Sequence, residues 1–194
     1  MKIVFLDKDG TLIKNIHYSA DPSRVEFLKG SINGLKRLQL AGYKFIIITN
    51  QPAIDMELFS ATTFKAYMHF LREALAAYGI ELLDWFACPH GTNSRCDCRK
   101  PEPGMILHAL KIYEADPAEC WMIGDILTDV EAGRRAGLRT ILITNGNETE
   151  WDFERYSVPD FCGDDLDKAA AIILKEDFQM ERTKVVPNSF QQSG

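Results

Sequence analysis

The segment Ile3-Val4-Phe5-Leu6-Asp7-Lys8-Asp9-Gly10-Thr11 is the most informative part of this chain. Its apolar start predicts a buried strand, and two aspartates follow directly before a Gly-Thr turn. Alternate residues of an extended segment point to the same side, so both carboxylates can converge on one site. Ligand sites of open α/β sheets form at the carboxyl ends of strands. The stretch therefore favours a metal-assisted carboxylate nucleophile over a strand that merely ends in a polar turn.

The composition is that of an ordinary globular protein. Its 194 residues are 46% hydrophobic and 26% charged, enough to build one core. The formal net charge is −6 and no long Lys/Arg run occurs, which argues against nucleic acid. No apolar run approaches the roughly 18 residues of a membrane span, and the N-terminus reads as a strand rather than a signal peptide. We therefore expect a cytoplasmic monomer without a membrane partner, whose five cysteines form no disulfide framework.

Strand and helix patterns alternate along the chain. Continuous apolar runs predict buried parallel strands at Ile3–Leu6, Phe45–Thr49, Trp121–Ile123 and Thr140–Ile143, and Asp84–Ala87 is a shorter candidate. Helical periodicity predicts helices at Ser31–Leu40, from a cap at Ser60 or Thr62 to Gly79, and at Met105–Tyr113, Thr128–Ala136 and Asp165–Leu174. Such alternation predicts an α/β fold, a Rossmann-like three-layer α/β/α sandwich with a central parallel sheet. We expect one domain over residues 1–176 and a disordered polar tail over 177–194.

Chemically active residues follow four of the predicted strands or lie between them. They are Asp7 with Asp9, then Thr49, then Arg99 with Lys100, and then Gly124 with Asp125. Parallel strands end at a common edge of their sheet, so the topology should gather these residues. Taken singly, a strand-end threonine, a basic pair or a Gly-Asp turn is more often structural. The ordered set favours phosphoryl transfer.

When a carboxylate attacks a phosphate group, both reacting groups are negatively charged, so the charge of each must be neutralised. Mg²⁺ can do this through oxygen ligands, which Asp7, Asp125 and the Asp9 backbone could supply. Asp9 would protonate the leaving oxygen and then activate water against a phosphoaspartate.

Fixed positive charge and a hydroxyl complete this set of groups. Arg99 and Lys100 would face the transferring oxygens, and Thr49 would donate one hydrogen bond. Asp129 lies one turn into a predicted helix and is either a capping residue or part of the outer shell of the site.

A second cluster precedes the basic pair. Cys88, His90, Cys96 and Cys98 place four soft or borderline ligands within eleven residues. Cysteine and histidine in a tight loop are the usual ligands of tetrahedral Zn²⁺, although free core cysteines or a redox pair are alternatives. Four ligands leave no open position, so we expect a structural zinc that orders the loop and holds Arg99 and Lys100.

The order of motifs resembles the haloacid dehalogenase superfamily of phosphatases. The resemblance rests on Asp-x-Asp-Gly-Thr, Thr-Asn after a strand, a lysine, and Gly-Asp-x-x-x-Asp, over residues 1–175. It implies that Asp7 is the nucleophile and Asp9 the general acid and base. It further implies that Thr49 and Lys100 position the phosphate and that Asp125 completes the Mg²⁺ site.

The loop narrows the resemblance to one branch of that superfamily. Cys-Pro-His, Cys-x-Cys-Arg-Lys-Pro-x-Pro-Gly-Met and Thr-Asn-Gln are similar to the branch of heptose bisphosphate and histidinol-phosphate phosphatases. Members of this branch are small phosphatases that contain Mg²⁺ and zinc and lack a large cap domain. The resemblance implies substrate contacts at these positions: Asn15, His17, Tyr18, Thr49, Asn50 and Gln51.

Several positions depart from the branch pattern. Lys8 stands where arginine is usual, Pro52-Ala53 replaces a Ser-Gly or Ala-Gly pair, and Ile126 replaces a frequent lysine. Five residues between His90 and Cys96 make the loop short, as in the histidinol-phosphate type. The length of the chain favours the heptose type. We therefore expect a phosphatase for a small phosphorylated metabolite, with removal of the 7-phosphate of a heptose 1,7-bisphosphate as the leading hypothesis. Histidinol phosphate, a related small metabolite and a catalytically idle binding module are the alternatives.

Overall fold

The computed structural model describes residues 1–146 and 155–185. Six strands lie in this part of the chain: β1 (Ile3–Leu6), β2 (Lys44–Asn50), β3 (Leu82–Cys88), β4 (Trp121–Gly124), β5 (Arg139–Ile143) and β6 (Phe161–Gly163). It also contains five α-helices: α1 (Ser31–Leu40), α2 (Ala61–Ala77), α3 (Gly104–Ile112), α4 (Leu127–Arg135) and α5 (Leu166–Val185). Short 3₁₀ turns occupy Pro22–Arg24 and Pro117–Glu119.

The strands form one parallel sheet in the order β3-β2-β1-β4-β5-β6. The chain builds outward from β1 to β3 on one side and from β4 to β6 on the other. The strand order therefore reverses at β1 and β4, and their carboxyl ends flank a crevice. Ligands bind at such switch points in open α/β sheets. Asp7 follows β1 there, and Asp125 follows β4.

Two apolar cores cover the two faces of the sheet. Val4 and Leu6 of β1 pack into the core that contains α1, α2 and α5, whereas Ile3 and Phe5 pack into the core beside α3 and α4. Successive side chains of a strand point to opposite faces, so a strand buried on both faces must be apolar throughout. The predicted three-layer parallel fold is confirmed.

Local signals fix several element ends. The Ser60 hydroxyl accepts a hydrogen bond from the Thr63 amide at 3.0 Å, which settles the cap of α2 in favour of Ser60 over Thr62. Gly79 follows the end of α2 with a φ of 77°, the left-handed conformation that glycine adopts without strain. Apart from the C-terminal helix, the other predicted strands and helices are present, with ends that match the prediction or shift by one or two residues.

The C-terminal part differs from the sequence-based prediction in two ways. Strand β6 was not predicted, because Phe-Cys-Gly is too short to show an apolar pattern. Helix α5 continues past Leu174 to Val185, so residues 177–185 are helical rather than disordered. The reason is a contact made far from the helix in sequence: Asp177 accepts hydrogen bonds from Tyr43 at 3.0 Å and Lys2 at 2.9 Å. Residues 186–194 of the predicted tail lie outside the described residues.

The lengths and hydropathies of the described helices show whether any of them could span a membrane. Within residues 1–146 and 155–185, no helix is both long enough and apolar enough to cross a bilayer.

Candidate active site

A buried lysine lies at the centre of the site. The Lys100 ammonium is 2.6 Å from Asp7 Oδ1 and 2.6 Å from Asp129 Oδ1, and it donates a hydrogen bond to the Ile48 carbonyl at 2.9 Å. The residue is only 3% exposed. Burial opposes its charge, but the carboxylates of Asp129 and Asp7 outweigh this effect and raise the pKa of Lys100. Lys100 is therefore a fixed cation beside the expected nucleophile.

Two further carboxylates complete the acidic side of the site. The oxygens of Asp7, Asp125 and Asp129 approach within 4.8 Å of one another, and all three residues are buried. Asp125 accepts a hydrogen bond from the Thr11 hydroxyl at 2.9 Å. A Cβ on Gly124 would lie 2.2 Å from the Asp129 side chain, so only glycine allows α4 to approach the strand end this closely. Asp129 thus faces the site, and its possible capping contact is a long 3.4 Å hydrogen bond from the Ile126 amide.

The charge of this cluster fits a divalent cation. Burial raises the pKa of Asp7 to about 7; Lys100 opposes this rise, whereas Asp129 and Asp9 add to it. Burial also raises the pKa of Asp129. Three carboxylates face one ammonium, so the fully ionised cluster has a surplus of two negative charges, three minus one. Hard oxygen donors with such a surplus are suited to Mg²⁺.

Asp9 enters the predicted Mg²⁺ ligand set through its backbone, and its carboxylate has other partners. Its carboxylate is not in the three-carboxylate cluster and instead accepts hydrogen bonds from the Lys8 ammonium and from Gln51 Nε2 at 3.0 Å. Asp129 takes the third place in the cluster. The Asp9 side chain is turned away because it follows Asp7 in a turn with its own buried cation, Lys8. Its backbone carbonyl remains a candidate ligand.

Asn50 and Gln51 hold other side chains in place. Asn50 Oδ1 accepts from the Lys100 amide at 3.0 Å, and Asn50 Nδ2 donates to the Lys100 carbonyl at 3.1 Å. Gln51 Nε2 also donates to Thr49 Oγ1 at 2.9 Å, which leaves the Thr49 hydroxyl proton available to another acceptor. The spacing of residues in the sequence does not predict these contacts. Asn50 binds a residue 50 positions away, and the contact of Gln51 with Thr49 depends on how the chain turns after β2.

The cysteine and histidine side chains of the loop converge. Cys98 Sγ lies 3.2 Å from Cys88 Sγ and 3.3 Å from His90 Nδ1, and Cys88 Sγ lies 3.7 Å from Cys96 Sγ. A tetrahedron with Zn–S bonds of about 2.3 Å has edges of about 3.7 Å, so these separations are close to those of a zinc site.

The electrostatics of the loop also fit a cation. Burial raises the pKa of Cys98 to about 12, and the neighbouring sulfur atoms of Cys88 and Cys96 contribute to the rise. Burial also raises the pKa of Cys88, whereas hydrogen bonds from Ser94 and from the Arg99 amide outweigh burial and lower the pKa of Cys96 to about 6. A metal ion would stabilise the thiolates that Cys88 and Cys98 otherwise resist forming. The loop is tied to the site because Arg99 donates to the His90 carbonyl at 3.0 Å.

One cavity of about 590 Å³ opens beside Asp7, Lys100 and the metal loop. All residues predicted to bind substrate or phosphate line it: Asn15, His17, Tyr18, Thr49, Asn50, Gln51, Arg99 and Lys100. Asp7 and Asp9 line it as well, so the nucleophile and the expected acid face the same space. Sequence reasoning missed other residues of its wall: Ile16, Ser19, Thr92, Ser94, Pro101, Glu102 and Thr128. Most of these lie in loops, where no periodic pattern marks them.

The departures from the branch pattern lie in this cavity. Ile126 and Pro52 both line it, so an apolar side chain and a stiff turn stand where the branch pattern has a lysine and a small residue. Cys96 lines it too, which places one side of the metal loop at the cavity wall. Tyr18 adopts a φ of 55°, an uncommon conformation for a large side chain and one often found at binding sites.

This chain is similar in fold and in sequence to known phosphatases. The crystal structure of D,D-heptose 1,7-bisphosphate phosphatase from B. bronchiseptica, complexed with magnesium and phosphate, aligns with a TM-score of 0.81 and 31% identity. The alignment covers 91% of this chain and 99% of that one. A HAD-hydrolase-like family model matches residues 97–169, the part that contains Lys100, Asp125 and Asp129.

Curated relatives give the same result. D-glycero-beta-D-manno-heptose-1,7-bisphosphate 7-phosphatase of Pasteurella multocida is 37% identical over 152 residues, which are 75% of this chain and 83% of that protein. The chain belongs to the haloacid dehalogenase family of phosphatases. A Photorhabdus laumondii relative, named for the alpha anomer of the same substrate, is 36% identical over 157 residues, 77% of this chain and 86% of that protein. These relatives confirm the haloacid dehalogenase family, which the order of motifs predicts.

The raised pKa of Asp7 makes a prediction about metal-free protein. Below its ordinary value of 3.8, Asp7 is protonated in both the folded and the unfolded chain. Between that value and about 7 the folded chain retains a proton that the unfolded chain has released, so the contribution of Asp7 lowers stability as pH rises. We expect Asp7→Asn to raise the melting temperature at pH 8 without divalent metal, and to raise it progressively less toward pH 4.

Thermal unfolding from pH 4 to 8 in EDTA would measure this effect. Asp164→Asn is the matched control, because it removes an exposed carboxylate and should change stability by no more than about 0.5 kcal/mol. An Asp7→Asn variant that is less stable than the wild type at pH 8 would show that the ion pair with Lys100 outweighs the burial of Asp7.

Proposed function

We propose that this phosphatase removes the 7-phosphate of D-glycero-D-manno-heptose 1,7-bisphosphate in a Mg²⁺-dependent reaction through a phosphoaspartate on Asp7. The observation that carries the proposal is the relatives' shared name together with the extent of the match. The alignment spans 83% of the Pasteurella multocida protein and 86% of the Photorhabdus laumondii protein. Both acids of the first motif are present and face the cavity, which argues against an idle binding module.

Asp7 acts as the nucleophile in the proposed reaction. One of its oxygens attacks the phosphorus, and the bond from phosphorus to the sugar oxygen breaks. Asp9 gives its proton to that leaving oxygen, so the sugar departs as a neutral alcohol. Lys100 and the free hydroxyl proton of Thr49 bind the phosphoryl oxygens.

Hydrolysis of the phosphoaspartate uses the same two acids. Asp9, now ionised, takes a proton from a water molecule whose oxygen attacks the phosphorus. The bond from phosphorus to Asp7 breaks, which restores the Asp7 carboxylate and releases inorganic phosphate. Asp9 regains the proton needed for the next cycle.

Asp7, Asp125, Asp129 and the Asp9 carbonyl are the proposed Mg²⁺ ligands. When bound, Mg²⁺ supplies charge neutralisation for the nucleophile and the phosphoryl oxygens. The raised pKa of Asp7, about 7, agrees with this role. A cation must compensate the negative charge of the cluster before Asp7 is fully ionised near pH 7.

The remainder of the substrate has its own set of proposed contacts. Four cavity-lining side chains that take no part in the Lys100 ion pairs are available to it: Arg99, Asn15, His17 and Tyr18. The Arg99 guanidinium can bind the second phosphate while one of its donors stays on His90.

A substrate comparison tests this proposal. We expect kcat/KM for one anomer of the heptose bisphosphate to exceed that for histidinol phosphate and fructose 1,6-bisphosphate by about 10²-fold. A substrate of the wrong shape leaves polar groups of the cavity without hydrogen-bond partners, which costs binding energy in the transition state. The anomers should be assayed separately, since the relatives are named for both. EDTA should abolish turnover and Mg²⁺ restore it. Asp7→Asn should lower kcat by about 10³-fold or more.

The outcomes of this comparison separate the hypotheses. A higher kcat/KM for histidinol phosphate would reject the proposed substrate but leave the chemistry intact. Turnover of all esters by Asp7→Asn at more than a tenth of the wild-type rate would reject the phosphoaspartate. Asp164→Asn, which is exposed and outside the cavity wall, should retain wild-type kinetics.

The loop predicts one zinc ion per chain, bound by Cys88, His90, Cys96 and Cys98. Thiolate ligands hold zinc tightly, so mild chelation that removes Mg²⁺ should leave it in place. Cys96→Ser should lose zinc, raise KM and lower kcat together, because Arg99 and Lys100 would lose their support. Elemental analysis and steady-state kinetics measure both effects.

Cys162→Ser is the control, because Cys162 is exposed and outside the cluster. It should retain zinc and wild-type kinetics. Wild-type protein purified without chelator that contains no zinc, or a zinc-free Cys96→Ser variant with unchanged kinetics, would contradict this assignment.

A further inference from the structure

Lys8 is a buried cation that the proposed reaction does not yet use. It lies between the two aspartates of the first motif and is 1% exposed. Its ammonium donates a hydrogen bond to Asp9 Oδ1 at 2.5 Å. A buried charge is costly unless it is paired, and Asp9 is the carboxylate partner that the structure gives it.

Tyr67 supports Lys8 from behind. The Lys8 ammonium lies 5.1 Å from the centroid of the Tyr67 ring, within the range of a cation–π contact. Tyr67 is itself 4% exposed and belongs to α2, which packs firmly on the sheet. The lysine is therefore enclosed between a fixed aromatic face and the Asp9 carboxylate, with little freedom to move.

The two Asp9 oxygens have separate donors. Oδ1 accepts from Lys8, and Oδ2 accepts from Gln51 Nε2 at 3.0 Å. These bonds hold the carboxylate apart from the Asp7, Asp125 and Asp129 cluster, yet 26% of the Asp9 side chain stays exposed toward the cavity. Asp9 is thus oriented by the buried Lys8 ammonium behind it and by the Gln51 amide at the cavity wall, and not by Lys100, which pairs with Asp7 and Asp129.

We propose that Lys8, backed by the Tyr67 ring, is a positioning residue that holds the Asp9 carboxyl group toward the leaving oxygen of the substrate. The inference rests on the phosphoaspartate mechanism proposed above and adds a requirement to its proton-transfer step. Lys8 touches neither substrate nor reacting atoms, and it acts only through Asp9.

This role differs measurably from a purely structural one. Departure of a sugar alkoxide needs the Asp9 proton, whereas p-nitrophenolate is stable enough to leave without it. For either ester, kcat/KM reports the steps up to formation of the phosphoaspartate. A misplaced Asp9 should therefore slow cleavage of an alkyl phosphate selectively, while general damage to the cavity should slow both esters alike.

Lys8→Met tests this, because methionine keeps much of the length and packing of lysine but has no charge. The alkyl ester is the primary alkyl phosphate that the wild type cleaves fastest, compared with p-nitrophenyl phosphate. We expect kcat/KM to fall by about 10²-fold for the alkyl ester but by less than about threefold for the nitrophenyl ester. Lys8→Arg should restore the alkyl rate to within about threefold of wild type, because arginine keeps both the charge and the aromatic contact.

Controls separate this inference from the proposed function. Lys65→Met removes an exposed lysine of the same helix as Tyr67 and should leave both rates unchanged. If Lys8→Met does not fold, Tyr67→Leu carries the same test, with a smaller selective loss expected. Equal losses on the two esters, or no loss, would overturn the role of Lys8. A wild-type enzyme that cleaves no alkyl phosphate would instead overturn the proposed function, and this inference with it.

Discussion

The buried ammonium of Lys100 lies between the carboxylates of Asp7 and Asp129, and the site depends on this arrangement. Three buried carboxylates at one strand edge would repel one another strongly in a medium of low dielectric. Lys100 compensates one charge and keeps the nucleophile next to a fixed cation. The remaining negative surplus then gives the cluster its affinity for a divalent ion. The two ion pairs of Lys100 thus link the fold, the metal site and the phosphate site.

The acids and the cation reach this point by different routes. Asp7 and Asp125 are set by strands whose side chains fill both cores, so the sheet itself fixes them. Lys100 comes from a loop with little apolar content. Its position depends on the two hydrogen bonds between Asn50 and the Lys100 backbone, on the Arg99 contact to His90, and on the cysteine–histidine cluster. Damage to that loop should therefore act on catalysis before it acts on the fold.

Sequence reasoning was strongest where a pattern is local. The run before Asp7, a cap for α2 at Ser60 or Thr62 and the alternation of strands and helices all follow from short-range periodicity and turn chemistry. Contacts between distant segments could not be predicted in this way. The orientation of Asp9, the clamp of Asn50 on Lys100 and the extension of α5 to Val185 each depend on partners brought together by the tertiary fold. The sequence shows Asp129 as part of a motif. Only the structure shows that it faces Asp7 and Asp125, because Gly124 lets the Asp129 side chain come close to the end of β4.

The proposed reaction requires that Asp7 becomes covalently phosphorylated. Rapid acid quench during turnover of a ³²P-labelled sugar phosphate, followed by peptide mapping, tests it most directly. The account predicts transient label on the peptide that contains Asp7, with no label when Asp7 is replaced by asparagine. Turnover of the wild type with no labelled protein at any quench time, or with label on a residue other than Asp7, would contradict it.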